Sequence, residues 1–289
     1  MNKKAVFQLS LAMTIFGSVG FFSGLTGLRA LELVFVRCVC ATLFLGAAWV
    51  VTGHHKQEKW NAKEMRLILA CAVTNLLNWL FLFRAFERIS VTIAISLYHL
   101  APILVLIVGS FLFRERLSLR SVGAISVCFA GTIMIMGTDG FRVSSPDWIG
   151  MMDGVLAAVF YAATMIIGKS ISKTSVYATT MLQMIVGTLL LVPFVHYGAY
   201  ADILPVQWTY AIITGIVHTG IVYLLFFNSI RQLPTGIVSF LIFVDPAVAI
   251  VLDVLITGFH PNGLQSAGML LLFGSLIYAL KSPRPEAGV

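Results

Sequence analysis

Charged residues are scarce in this chain. They make up 11% of its 289 residues, against about 25% in an average soluble globular domain. A chain so poor in charge cannot cover its surface with groups that water solvates, which excludes a soluble globular protein. Hydrophobic residues supply 59% of the sequence, and the mean hydropathy is +0.95. The composition therefore predicts an integral membrane protein whose surroundings are the lipid bilayer.

Several chemical motifs are missing as well. The sequence has no glycine-rich loop that would hold a phosphate and no His/Cys cluster with metal-ligand spacing. A solvated basic face, which a nucleic-acid partner would need, is also absent. The four cysteines all lie inside apolar segments, where they are expected to pack as small apolar side chains: Cys38, Cys40, Cys71 and Cys128. These absences predict no enzyme activity, no cofactor, no metal site and no nucleic-acid partner.

Long apolar runs occupy nearly the whole chain. One helical membrane span needs about 20 apolar residues, and the runs are continuous instead of alternating, which favours helices over a β-barrel. Ten segments fit this description: 5–25, 31–51, 65–85, 90–112, 119–136, 149–168, 176–196, 206–227, 234–256 and 264–280. The sequence therefore predicts an all-α integral membrane protein with ten transmembrane helices.

The basic residues are distributed unevenly between the two sides of these segments. With a cytoplasmic N-terminus, the outer loops would hold only Arg29, Arg88 and Arg142, and most of the 19 Lys and Arg residues would lie inside. This skew is the positive-inside rule. It predicts that both termini are cytoplasmic.

The two halves of the sequence share a pattern at an offset of 144 residues. The shift lays Pro102 on Pro246 and Trp79 on Tyr223. It also pairs identical residues: Val73 with Val217, Leu80 with Leu224, Phe83 with Phe227 and Leu97 with Leu241. Because five spans per half is an odd number, the second copy would be inverted in the membrane. We therefore predict two inverted five-helix repeats, 1–140 and 141–289, with a ten-helix bundle of incidental periodicity as the alternative.

Pro102 and Pro246 lie near the middle of segments 4 and 9. Proline removes a backbone donor and kinks a helix. Paired breaks in corresponding segments of the two halves are how secondary transporters mark their binding site. Both prolines are therefore predicted to be hinges or cavity-lining breaks.

Several sequence segments of this chain resemble those of a known protein family. Arg37 lies early in segment 2, within ELVFVRCVCATLFL, and segments 3 and 4 carry Pro102 and then Glu115, within LNWLFLFRAFERISVTIAISLYHLAPILVLIVGSFLFRERLSL. The second half reads LLFFNSIRQLPTGIVSFLIFVDPAVAIVLDVL. Over essentially its full length the chain is similar to the EamA branch of the drug/metabolite transporter superfamily. The second half departs from the pattern, with Gln183 near the arginine position and Phe259 or His260 near the glutamate position.

Polar and aromatic side chains occur at mid-membrane depth on several segments. Asn75 and Asn78 share a face beside Trp79, and His99 follows Thr92 and Ser96 along segment 4. Such stripes favour a polar cavity between the halves, although lone polar residues more often make helix-to-helix contacts. Aromatic rings in the cavity would suit an aromatic or cationic ligand. The predicted substrate-binding residues are Asn75, Asn78, Trp79, Tyr98, His99, Tyr161, Tyr223 and Asp245.

Glu32 and Asp253 lie near the outer boundary of predicted spans and Asp153 near the start of one, whereas two charged residues, Arg37 and Asp245, lie deeper inside. A charge at the bilayer centre costs about 2.5–3.5 kcal/mol on insertion scales, so both should face a cavity or a partner. Asp245 directly precedes Pro246, and the proline leaves a backbone carbonyl of segment 9 without its usual N–H donor. A carboxylate beside such a carbonyl suits a cation or a proton. Arg37 cannot pair with Glu32, five residues away on another face, so its partner is another helix or a substrate carboxylate. The alternative is an Arg37–Asp245 salt bridge.

The sequence thus predicts a secondary-active transporter of small organic metabolites that works by alternating access, in a bacterial cytoplasmic membrane. The family resemblance favours export, and protons are one option for the coupling ion. The protein would act as a monomer or homodimer. Two alternatives remain: an uptake carrier for an amine or amino acid, and an integral membrane enzyme or sensor.

Overall fold

The computed structural model describes residues 2–58, 60–89, 91–115, 119–136, 148–257 and 261–281, and the regular elements among them are helical. Helices lie in each of the ten predicted segments, although the one predicted over 176–196 ends at Leu191. They are α1 (Lys3–Gly24), α2 (Ala30–Val51), α3 (Ala62–Arg88), α4 (Val91–Tyr98, continued by Ala101–Leu112), α5 (Leu119–Met136), α6 (Trp148–Ser170), α7 (Val176–Leu191), α8 (Pro205–Ile230), α9 (Thr235–Ile256) and α10 (Gly263–Lys281).

Six of the described helices are long and apolar enough to cross a membrane: α1, α2, α3, α6, α8 and α9. Shorter apolar helices cover Ala101–Leu112, Val122–Met134 and Val176–Leu191. The predicted all-α membrane fold is confirmed. The count of ten spans and the inverted repeat stay predictions.

The distribution of polarity is reversed relative to that of a water-soluble protein. Large apolar side chains are strongly exposed, as Leu119, Phe111 and Val51 show at 89%, 88% and 85% exposure. Arg37, Asn78 and other polar residues are buried instead. An apolar outer surface around a polar interior is what a bilayer requires, because lipid tails cannot solvate charge.

The helices of one half pack between those of the other. α3 lies along α6, α8 lies along α1, and α2 lies along α7, while α5 pairs with α10. The loop before α7 is tied to α3 by Glu64, whose carboxylate accepts backbone N–H bonds from Ser172, Lys173 and Thr174 at 3.0, 2.8 and 2.6 Å. The centre of the bundle is filled by rings that are 2% exposed or less: Tyr223, Phe226, Phe227 and Phe243.

α4 and α9 are both broken near their midpoints. α4 is interrupted by a turn at His99 and Leu100, just before Pro102. α9 is interrupted at Ile242 and Phe243, just before Pro246. Since proline has no backbone N–H to continue the helical ladder, the predicted kinks occur as real breaks. Their role as hinges stays a prediction.

Candidate substrate-binding site

A hydrogen-bonded relay joins α3 to α8 at the centre of the bundle. The indole Nε1 of Trp79 donates to the hydroxyl of Tyr223 at 2.9 Å, and that hydroxyl donates to Oδ1 of Asn75 at 3.0 Å. The Trp79 and Tyr223 rings meet edge to face, with their centroids 5.3 Å apart. All three side chains are buried. The relay fixes the orientation of both rings and satisfies their polar tips.

Arg37 lies against this relay from α2. Its side chain is 2% exposed, and its Nε donates to Oγ1 of Thr219 at 3.0 Å. Thr219 belongs to a π-helical turn, Ile216–Ile221, and its hydroxyl donates in turn to the Thr214 carbonyl at 2.9 Å. The guanidinium carbon is 4.5 Å from the centroid of the Trp79 ring, a cation–π distance. The π-turn therefore places Thr219 where it orients a buried cation.

Asp245 enters the same region from the broken helix α9. Its side chain is half-buried, and its carboxylate is close enough to act electrostatically on the phenols of Tyr98 and Tyr161. The α1 backbone comes close at Gly17, where a Cβ would lie 2.6 Å from the Asp245 carbonyl oxygen. A glycine is therefore needed for α1 to pack at this point.

Arg37 and Asp245 do not pair with each other in this conformation. Among the described residues, ion pairs join Arg84 to Asp153 at 3.5 Å and Lys169 to Glu115 at 2.6 Å. The terminal amino groups of Arg37 donate no hydrogen bond to a described residue. The predicted Arg37–Asp245 pairing stays a prediction for another state of the protein.

Aromatic rings line the region between these two charges. Tyr98 and Tyr161 stack with centroids 5.0 Å apart and planes 8° from parallel. His99 lies 5.7 Å from the Phe243 ring, and its Nδ1 is 2.8 Å from the Ile95 carbonyl oxygen. Because a carbonyl oxygen only accepts, Nδ1 of His99 carries a proton and donates this bond.

Several buried polar atoms at this depth lack partners among the described residues. Both amide atoms of Gln183 make no hydrogen bond of normal geometry to a described residue, whereas Asn78 interacts with the Tyr98 hydroxyl and one ring nitrogen of His218 with the Ile213 backbone. His218 uses its other nitrogen, Nε2, to contact the Ser18 hydroxyl at 2.9 Å. A buried polar group without a partner costs about 1–3 kcal/mol. Water or a bound molecule would remove that cost.

The structure brings the predicted residues into two neighbouring groups. Asn75, Trp79 and Tyr223 form the relay beside Arg37, while Tyr98 and Tyr161 lie within electrostatic range of Asp245. Asn78 and His99 are buried, and Pro102 and Pro246 follow the two helix breaks. The side chains of Thr92 and Ser96 lie outside the described part of the chain, as do residues 259 and 260. The substrate-binding, coupling and hinge roles of all these residues stay predictions.

Sequence reasoning missed a second polar cluster, at the helix ends. Lys169 donates from Nζ to Glu115 Oε1 at 2.6 Å, to the Leu233 carbonyl at 2.9 Å and to Thr235 Oγ1 at 3.0 Å. The other oxygen of Glu115 accepts the Thr235 backbone N–H at 2.6 Å. The cluster ties the end of α4 and the end of α6 to the start of α9. Glu115 was noted in the sequence, but nothing there indicated Lys169 as its partner.

Sequence similarity links this chain to a protein family and to individual proteins. The model of the EamA-like transporter family matches it twice, over residues 3–137 and 148–280. A Bacillus subtilis (strain 168) protein named "Uncharacterized transporter YxxF" is 49% identical over 286 residues, which cover 99% of this chain and 92% of that protein. An "Uncharacterized transporter" from Archaeoglobus fulgidus is 24% identical over 241 residues, or 83% of this chain and 82% of its own length.

The overall architecture also has a counterpart among solved structures. One crystal structure superposes with a TM-score of 0.82 over 98% of this chain and 100% of its own, at 16% sequence identity. At that identity the likeness concerns the fold alone. The family matches in both halves, together with the close relative, show a multi-pass membrane transporter. This chain belongs to the EamA-like transporter family.

Proposed function

We propose that this transporter is a secondary-active carrier that moves small organic metabolites by alternating access between two inverted five-helix repeats. The observation that carries the proposal is the meeting of equivalent positions at the centre. Trp79 and Tyr223 are 144 residues apart and share a hydrogen bond of 2.9 Å. His99 and Phe243 have the same separation, and their ring centroids are 5.7 Å apart. In a two-fold arrangement, only residues beside the axis contact their own counterparts.

Helix packing supports the same arrangement. α1 contacts α8 and α6 contacts α3, so the first helix of each half meets the third helix of the other. The corresponding helices α5 and α10 begin at Leu119 and Gly263, which are again 144 positions apart. Two halves that pack in this reciprocal way can rock against each other around a fixed central site, as inverted-repeat carriers do.

The centre itself suits a transported solute better than a purely structural core. A buried cation and a half-buried carboxylate lie among aromatic rings where α4 and α9 are broken. Solute binding at the midplane beside discontinuous helices is typical of such carriers. The Lys169–Glu115–Thr235 cluster would close one end of this site. The position equivalent to Lys169 in the first half is Leu25, which carries no charge.

Orientation, direction and coupling complete the proposal. The distribution of Lys and Arg supports cytoplasmic termini, and the bacterial relative fits a bacterial cytoplasmic membrane. Export is favoured by the family resemblance alone. Asp245 is the candidate for binding a proton or a substrate cation.

Orientation can be measured by labelling. A cysteine introduced at Gly53 should be shielded from an impermeant thiol reagent in intact cells, and one at Asn262 should react. The native cysteines lie in spans and are buried or half-buried, which keeps the background low. The reverse labelling pattern would contradict the proposed orientation.

Flux is the test of the function itself. Liposomes containing only the purified protein would be loaded with a bacterial metabolite extract, and the compounds that leave would be identified by mass spectrometry against protein-free liposomes. Selective, saturable loss of unmodified compounds supports a carrier. Chemical conversion of a compound without its movement would favour the membrane-enzyme alternative and contradict the proposal.

A further inference from the structure

Arg37 carries a buried charge that the described protein does not balance. Its side chain, in the first half of α2, is 2% exposed, and its polar contact is to a neutral hydroxyl on Thr219. The cation–π contact with Trp79 offsets part of the desolvation cost, but a cation within a membrane span normally has an anionic partner. The anionic partner of Arg37 therefore has to be identified.

Most described carboxylates at membrane depth are already engaged. Asp153 pairs with Arg84, and Glu87 accepts the Ala30 backbone N–H at 3.1 Å. Glu32 accepts the His196 N–H at 3.4 Å. Asp245 is free of such bonds among the described residues, yet forms no ion pair with Arg37. In this conformation the partner of Arg37 is therefore not a described carboxylate of the chain.

The contacts of Arg37 fix the orientation of its guanidinium group. Nε is held by Thr219, and the guanidinium carbon lies over the Trp79 ring at 4.5 Å from its centroid, with the Phe83 centroid 5.7 Å away. The edge formed by the two terminal amino groups has no hydrogen-bond partner among the residues that the structure describes. That edge is a planar fork whose geometry matches the two oxygens of a carboxylate.

We propose that the transported substrate carries a carboxylate, and that this group binds in bidentate fashion to the terminal amino groups of Arg37. The inference rests on the proposed carrier function and names the chemical class of its substrate. One cation balances one negative charge, and the Asp245 carboxylate in the same centre disfavours a second. The substrate is therefore a monocarboxylate. The rings of Trp79, Tyr98 and Tyr161 provide apolar surface for its organic part.

Binding can be tested with matched probes that differ in the charged group alone. 3-Phenylpropionate, its amide 3-phenylpropanamide, and phenethylamine would be screened by thermal stabilisation of the purified protein, beside a panel of aliphatic, hydroxy and amino carboxylates and their amides. A ligand that binds the folded state raises the melting temperature. We expect one or more monocarboxylates to stabilise the wild-type protein and their amides to have no effect.

Variants of Arg37 assign that effect to the guanidinium group. Arg37→Gln should weaken carboxylate binding about 10- to 100-fold, the range for charge-assisted hydrogen bonds. Arg37→Lys keeps the charge but loses the fork, so it should recover only part of the affinity. Thr219→Val should weaken binding several-fold by releasing Nε. Arg66→Gln, on the exposed face of α3, is the matched control and should bind like wild type.

Three results would overturn the inference. In the first, amides or amines raise the melting temperature and no carboxylate does. In the second, Arg37→Gln binds the carboxylate as tightly as the wild-type protein. In the third, no carboxylate of the panel raises the melting temperature. A ligand-free Arg37→Gln protein that loses stability, and regains it when Asp245→Asn is added, would assign Arg37 to an internal ion pair instead. If the liposome assay shows transport of compounds that carry no carboxylate, the proposed carrier function holds and the carboxylate inference fails. Failure of the inference can therefore be told apart from failure of the proposed function.

Discussion

The broken helices α4 and α9 have similar backbones and different chemistry. Both are interrupted just before a proline, at positions 144 residues apart to within one residue. In α4 the residue before Pro102 is Ala101, and in α9 the residue before Pro246 is Asp245. The break therefore does not require the carboxylate. The backbone geometry recurs in the two halves, whereas the charge at the break belongs to one of them.

α2 and α7 differ in the same way, with the charge in the other half. Arg37 on α2 corresponds at this offset to Met181 on α7. Each half thus contributes one central charge whose counterpart is uncharged: Ala101 for Asp245, and Met181 or the nearby Gln183 for Arg37. A symmetric scaffold with an asymmetric site suits a ligand that has distinct ends.

The largest effect should come from removing the charge at the α9 break. Asp245→Asn keeps the size of the side chain and its hydrogen bonding but cannot ionise. If Asp245 couples protons, the variant will exchange substrate across the membrane but lose accumulation against a gradient and lose its pH dependence. Flux with and without an imposed pH gradient measures this. Asp202→Asn, in an exposed turn, is the control. Wild-type flux in Asp245→Asn would exclude the residue from the mechanism.

Restoring a backbone donor at either proline should reduce transport next most strongly. Pro102→Ala and Pro246→Ala allow each helix to straighten, while expression and helical content hold. Pro246→Ala is expected to have the greater effect, because it also moves Asp245. Initial flux rates with circular dichroism on the same samples check this. Normal transport by both variants would make the breaks packing features and remove the basis for hinges.

A smaller effect is expected where α1 covers the α9 break. A Cβ at position 17 would lie 2.6 Å from the Asp245 carbonyl oxygen and 2.7 Å from Cβ of Val248. Gly17→Ala should therefore force the helices apart and destabilise the protein by about 1–3 kcal/mol, the usual cost of overpacking. Gly20→Ala on the same helix meets nothing within 4 Å and is the control. Equal melting temperatures for the two variants would contradict the close approach.

The smallest effect should come from the helix-end cluster. Lys169→Met removes a partly buried ion pair and two further hydrogen bonds, for an expected loss of about 1 kcal/mol in the free energy of unfolding. Leu25→Met, at the equivalent position of the first half, should be neutral. If both substitutions lower the free energy of unfolding equally, the cluster does not stabilise one end of the carrier more than the other. Melting curves at two salt concentrations measure the difference.

Hydropathy and the proline offset were sufficient to predict the helices, because a bilayer demands long apolar runs and proline always removes a donor. Trp79 and Tyr223 were matched in sequence as equivalents, but nothing there indicated that they would meet. Thr219 was visible only as one polar residue of segment 8. Its role as the hydrogen-bond partner of Arg37 depends on the π-turn Ile216–Ile221, which shifts its side chain relative to a regular helix. Local spacing rules assume regular helices, so they could not anticipate it.

The sequence by itself determined that the protein lies in lipid, that its fold is all-α, which family it belongs to and where the two helix breaks occur. Each of these follows from composition or from residues close together along the chain. Only the tertiary structure decided which polar side chains meet. It separated Arg37 from Asp245, joined Trp79 to Tyr223 across 144 residues, and brought Lys169 to Glu115. The physical reason is that a membrane helix hides its polar groups against other helices. The partner of each group is therefore set by how helices pack, which neighbours along the chain do not encode.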